Sequence, residues 1–214
     1  MNMNPKIERI IFGLILAPLA PLAGFMAAWW FSYSVLTEKW IPFGTLFGLG
    51  LGILADVFIL KRLIMRAPQL KLIFWVAVFL FYTVGVFGMF MGVPVFNALL
   101  AIPAGFVIAA KLELQTPAPA GIGLAARRTA WFTTAVLFFI CAASAFIALV
   151  SPSTASDLKG MLGLGFEVTQ GMIVGLIVVG GLALLAFNWV LTALSLWLSY
   201  RLIHHRGWNP TPAV

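Results

Sequence analysis

Six of the 214 residues are acidic. One of them, Asp56, falls inside an apolar run, where a carboxylate near the bilayer centre costs about 2.5–3.5 kcal/mol on insertion scales. It stands five residues before Lys61, about 7.5 Å deeper by helical rise. At that depth it can serve as a proton or cation site, or as the counter-charge for a substrate amine. The competing role is a structural ion pair with Lys111, Arg127 or Arg128.

Other polar groups in apolar surroundings are Tyr82, near the middle of the third run, and Asn188, near the middle of the last. Each needs a hydrogen-bond partner, either a neighbouring helix or a lined pathway. Asn97 follows Pro94 at the start of the fourth run and is placed to cap that helix or, with its free N–H groups, to hold an anionic group. Pro18, Pro21 and Pro103 lie inside apolar runs and should kink or break them. Asp56, Tyr82, Asn97, Asn188, Pro21 and Pro103 are therefore the candidate pathway residues.

No catalytic or cofactor constellation accompanies them. The only histidines, His204 and His205, are adjacent near the C-terminus, so no zinc-protease motif, haem pair or serine–histidine couple can be assembled in a span. The spans read from the apolar runs contain a single carboxylate, too few for a paired-carboxylate Mg-diphosphate site. Cys141 is the only cysteine, which excludes an intramolecular disulfide and a multi-cysteine metal site. No cofactor and no metal are expected.

What must position these residues follows from composition. The chain is 63% hydrophobic and 9% charged, with a net charge of +7. Soluble domains carry about 25% charged residues, so the surrounding solvent must itself be largely apolar, namely a lipid bilayer. The basic residues lie between apolar runs rather than on one soluble face, so the positive charge does not indicate nucleic acid. The apolar stretch after Lys6 and Arg9 is far longer than the 7–15 residues of a signal-peptide core and is expected to remain as a first span.

Six segments approach the ~20 residues needed to cross the hydrocarbon core: near 10–36, 43–60, 72–91, 94–110, 130–150 and 172–200. The expected fold is an all-α bundle of about six transmembrane helices in a single polytopic domain over 1–214. Uninterrupted runs of this length exclude the alternating strands of a β-barrel. Lys6, Arg9, Lys61, Arg62, Arg66, Lys71, Lys111, Arg127, Arg128, Arg201 and Arg206 fall on one side of such a layout, and only Lys39 and Lys159 on the other. The positive-inside bias then puts both termini in the cytoplasm, with the chain in the plasma (inner) membrane. Trp29, Trp30, Tyr33 and Trp40 gather at the outer border, and Trp75, Trp131, Trp197 and Trp208 near the inner one, as interfacial aromatics do.

Two stripes of small residues predict close helix packing. Gly44, Gly48 and Gly52 recur every fourth residue on the second span and lead to Asp56. Ala20, Gly24 and Ala28, followed by Ser32, do the same on the first. Such rows let backbones approach, so spans one and two should make the tightest contact. The strings Leu19-Ala-Pro-Leu-Ala-Gly-Phe25 and Leu100-Ala-Ile-Pro-Ala-Gly-Phe106 share five of seven residues. They open the two halves, which a 3+3 inverted repeat would explain, with a central site between broken helices. The segment 112–127, with Pro117, Pro119, Gly121 and Gly123, links the halves. The outer loop 151–171 is either a plain loop or, being apolar enough to lie on the membrane surface, a short interfacial helix capped by Ser156 or Asp157.

Two functions fit this pattern: a transporter or permease for a small solute or ion, and a non-catalytic subunit whose small-residue stripes bind a second copy or a membrane-complex partner. Broken spans and an intramembrane acid favour the first.

Overall fold

The computed structural model describes residues 5–90, 92–115, 121–163 and 165–204. The linker prolines Pro117 and Pro119, together with His205, Arg206 and Trp208 near the C-terminus, lie outside them. The described chain is helical: α1 (Pro5–Leu16), α2 (Leu19–Val35), α3 (Ile41–Arg66), α4 (Leu72–Met89), α5 (Val95–Ala98), α6 (Ala101–Gln115), α7 (Ile122–Val150), α8 (Thr154–Leu162) and α9 (Gln170–His204). Among the described residues, six helical stretches are long and apolar enough to cross a membrane: Arg9–Val35, Glu38–Gln69, Leu72–Met89, Val95–Glu113, Ile122–Val150 and Gln170–Ile203. The protein is an all-α, multi-pass membrane protein.

Most helices run past the apolar runs that announce them. α3 continues through Lys61 and Arg62 to Arg66 and ends where Pro68 enters a short 3₁₀ turn, Ala67–Gln69. α7 opens before Arg127 and Arg128. An apolar run marks the hydrocarbon core, but Lys and Arg are good helix formers whose stems reach back along the apolar surface, so the helix persists to the next proline or glycine. At 26 residues, α3 is about 39 Å long, against a core of about 30 Å.

The first and fourth spans are each interrupted a few residues before an internal proline. The first span breaks at Ala17–Pro18, leaving Pro21 as the third residue of α2. Pro18 and Pro21 have no N–H for the carbonyls of Leu14 and Ala17, so the helical ladder loses two bonds there. The fourth span breaks at Leu99–Leu100, leaving Pro103 as the third residue of α6. Pro103 cannot donate to the Leu99 carbonyl, which accepts from Ile102 N at 3.1 Å in a tighter turn. In both helices the proline occupies the first turn, where its N–H would have had no partner within that helix.

The segment 151–171 contains a helix, α8, which begins earlier than its sequence suggests. Its N-cap position is Ser153, not Ser156 or Asp157. Ser153 Oγ donates to Asp157 Oδ2 at 2.8 Å, and Ser156 Oγ donates back to the Ser153 carbonyl at 2.7 Å. Ser156 and Asp157 thus brace the first turn from inside it. Gly163 stops the helix with a left-handed backbone, φ +61°, and Lys159 pairs with Glu167 beyond it.

The chain forms two compact units. One runs to Val78 and includes the chain from Leu202; the other runs from Phe79 to Arg201. In the first unit α3 packs against α2 and α1, and the Phe12 and Trp75 rings meet at 5.5 Å. Trp75 Nε1 donates to the Ala67 carbonyl at 3.3 Å. In the second unit α6 is central. Its span is 44% buried against 22% or less for the other spans, and its enclosed positions include Ala101, Phe106, Val107, Ala109 and Ala110.

Candidate functional site

The glycine stripe of α3 is covered by α2 within the first unit. A Cβ added to Gly24 would fall on the Gly48 carbonyl oxygen, and one added to Gly48 would meet Ala28 Cβ and the Gly24 carbonyl. At Gly52 the new atom would lie 2.6 Å from Pro21 Cα, beside the Ala20 carbonyl, and at Gly44 it would strike Ser32 Oγ. Ala20, Pro21, Gly24, Ala28 and Ser32 thus face Gly52, Gly48 and Gly44 in antiparallel order. Backbones this close exclude any side chain between them, and no pathway can run along this seam.

One turn beyond Gly52 the seam opens. Asp56 lines a groove of about 480 Å³ together with Arg9, Val57, Leu60, Lys61, Ile64 and Met65. Gly13 of α1 stands next to Ile64, its Cβ position 3.5 Å from Ile64 Cδ1, which fixes α1 as the groove's other wall. Continuing the antiparallel order from Gly48 and Gly52 sets Asp56 level with Ala17 and Pro18, where the first span is broken. Arg9 then lies level with the end of α3. Among the described residues, the carboxylate of Asp56 forms no ion pair with Arg9 or Lys61. Three charged groups share an apolar-walled groove without neutralising one another directly.

The second unit holds Tyr82, Asn97, Pro103 and Asn188. Asn188 on α9 is buried and donates to Thr133 Oγ1 at 3.3 Å and to Thr134 Oγ1 at 3.1 Å on α7. Thr133 and Thr192 share a hydrogen bond of 2.8 Å, and Thr192 Oγ1 donates to the Asn188 carbonyl at 2.8 Å. This network clamps α7 to α9 and consumes the polar groups it buries. The threonines gave no signal of their own in the sequence, because a single hydroxyl satisfies itself on its own helix. Only a partner on another helix distinguishes Thr133.

Asn97 does not cap the helix that follows it through its side chain. Its Nδ2 donates across to the Thr83 carbonyl of α4 at 2.7 Å, and its Oδ1 is buried with no partner among the described residues. It fastens α5 to α4 behind the tight turn at Gly92, φ +81°. Tyr82 packs edge-on against Phe81, the ring centroids 5.8 Å apart. Pro103 sits two residues before Gly105, where a Cβ would lie 2.7 Å from Leu196 N and 2.8 Å from Ser195 Oγ. Ser195 Oγ also donates to the Ile102 carbonyl at 2.8 Å.

Gly24 and Gly105 occupy the same place in the two similar strings, and each is a point of close helix approach. Their partners differ: Gly24 meets the second span and Gly105 the sixth, where a strict 3+3 repeat would pair Gly105 with the fifth.

Glu113, three residues past the 94–110 apolar run, lies within the helical fourth span. The string Lys111-Leu-Glu-Leu-Gln115 has no helix breaker, which was the available signal. Among the described residues no cluster of three or more His, Cys, Asp or Glu side chains could hold a metal ion.

No family model matches the chain, and no curated protein and no solved structure matches it either.

Proposed function

We propose that this membrane protein moves a small solute or ion, with Asp56 as the group that engages the cargo or its coupling ion. The observation carrying this reading is the placement of Asp56: a carboxylate without an ion pair among the described residues, in an open groove, level with a proline-broken span. Half-helix ends expose backbone groups that can receive charge, an arrangement recurrent in transporters. In the proposed orientation both termini are cytoplasmic in the plasma membrane, and the groove opens toward the cytoplasm.

The test uses the purified protein in liposomes, with an imposed pH or Na⁺ step and a recorded transient current or internal pH change. The expected result is a response that Asp56→Asn abolishes while the variant stays folded. A response unchanged by the substitution removes Asp56 from the mechanism.

The scaffold reading loses its main surface, since α2 covers the α3 stripe. One observation still favours it: Gly175 of α9 faces open space, with Gly171 one turn before it. Cross-linking between cysteines introduced at these glycines would support a second copy on that face.

A further inference from the structure

The charges in the α1–α3 groove are ordered along its length, and the order specifies a kind of molecule. Arg9 lies level with the end of α3, Lys61 follows, and Asp56 lies deepest, about 7.5 Å beyond Lys61 by helical rise. With two cations and one carboxylate, the groove as a whole is positive. A bare cation held at Asp56 leaves Arg9 and Lys61 without a counter-charge, and a bare anion held at that pair leaves the carboxylate without one. Asp56 is half-buried beside apolar side chains while Arg9 and Lys61 are exposed, and a ligand carrying both signs complements all three.

We propose that this groove binds a small zwitterion whose ammonium is joined to a phosphate or carboxylate by a short methylene linker, and that the ammonium enters first. The ammonium donates to Asp56, and the anion lies between Arg9 and Lys61. Guanidinium is suited to that contact because its fork matches two oxygens of one anion. Val57, Leu60 and Ile64 supply an apolar wall for the methylenes. The depth order favours a free solute over a phospholipid headgroup. A membrane lipid directs its chains, not its amine, toward the bilayer centre, so its amine lies on the wrong side of the phosphate to reach Asp56. The inference rests on the transport reading and supplies its substrate class.

The probe is O-phosphoethanolamine, tested against ethanolamine, inorganic phosphate and phosphatidylethanolamine in mixed micelles. Binding to the detergent-purified full chain is read by calorimetry and thermal shift. Phosphoethanolamine is expected to bind roughly ten- to a hundredfold more tightly than either fragment, one charge-assisted contact being lost in each. Asp56→Asn should erase the advantage over phosphate. The double variant Arg9→Gln with Lys61→Gln should erase the advantage over ethanolamine. Asp56→Glu should retain much of the preference, and Arg62→Gln, outside the groove lining, should bind as the parent does. Equal binding of a fragment, response to the lipid alone, or no binding by a folded parent each overturns the proposal. Loss of binding with an Asp56-dependent ion response intact overturns the zwitterion but not transport. Binding without flux of labelled phosphoethanolamine leaves the site standing and refutes transport of this probe.

Discussion

Gly24 and Gly48 stand face to face, so that a Cβ on either residue would land on the carbonyl oxygen of the other. The α2–α3 contact is therefore between backbones, and it sets the register that brings Asp56 level with the break at Pro18. Gly48→Leu is expected to destabilise the protein by about 1–3 kcal/mol or more through overpacking. Gly50→Ala, on the same helix but facing open space, should be neutral to slightly stabilising. Thermal unfolding in detergent, measured side by side, checks the contrast.

The Asn188–Thr133 pair joins helices whose contact residues lie 55 positions apart. Asn188→Leu should cost about 0.6–1.7 kcal/mol, the range for interhelical hydrogen bonds in a membrane. A double-mutant cycle with Thr133→Val should return a coupling of that order. Additivity would mean that the network contributes no more than its separate side chains.

Asn97 offers a case where two effects nearly cancel. Asn97→Leu loses one hydrogen bond to Thr83 but also removes a buried oxygen without a partner. Because a single bond contributes about 0.5–1.5 kcal/mol and an orphaned acceptor costs about 1–3 kcal/mol, the net change should lie within about 1 kcal/mol of zero. A large loss in denaturant unfolding would point to a bound donor, such as water, on Oδ1.

Pro18→Ala restores a donor for the Leu14 carbonyl. The variant should be at least as stable as the parent and more helical by circular dichroism, with a weaker ion response in liposomes. A full response would show that the break is not needed.

The orientation is tested in a Cys141→Ala background. Single cysteines at 119 and 205 should be labelled from one side of the membrane, and cysteines at 38 and 159 from the other. Labelling of 119 and 205 from opposite sides would overturn the six-span layout.

Apolar run length alone announced the six spans, because a bilayer demands about 20 apolar residues per helix, a local property of the chain. Proline positions likewise announced the two interruptions: the first falls on Pro18, while Pro21 and Pro103 each follow a break and sit in a first turn, where a proline is best accommodated. The four-residue spacing from Gly44 to Asp56 identified a seam without naming what fills it. Tertiary structure decided that α2 covers the glycines, that the seam opens at Asp56, and that Arg9 joins it there from 47 positions away along the chain. It also decided that Asn188 spends its donors on Thr133 and Thr134. Contacts of this kind depend on how rigid helices settle against each other, and residue spacing along a single helix carries no record of it.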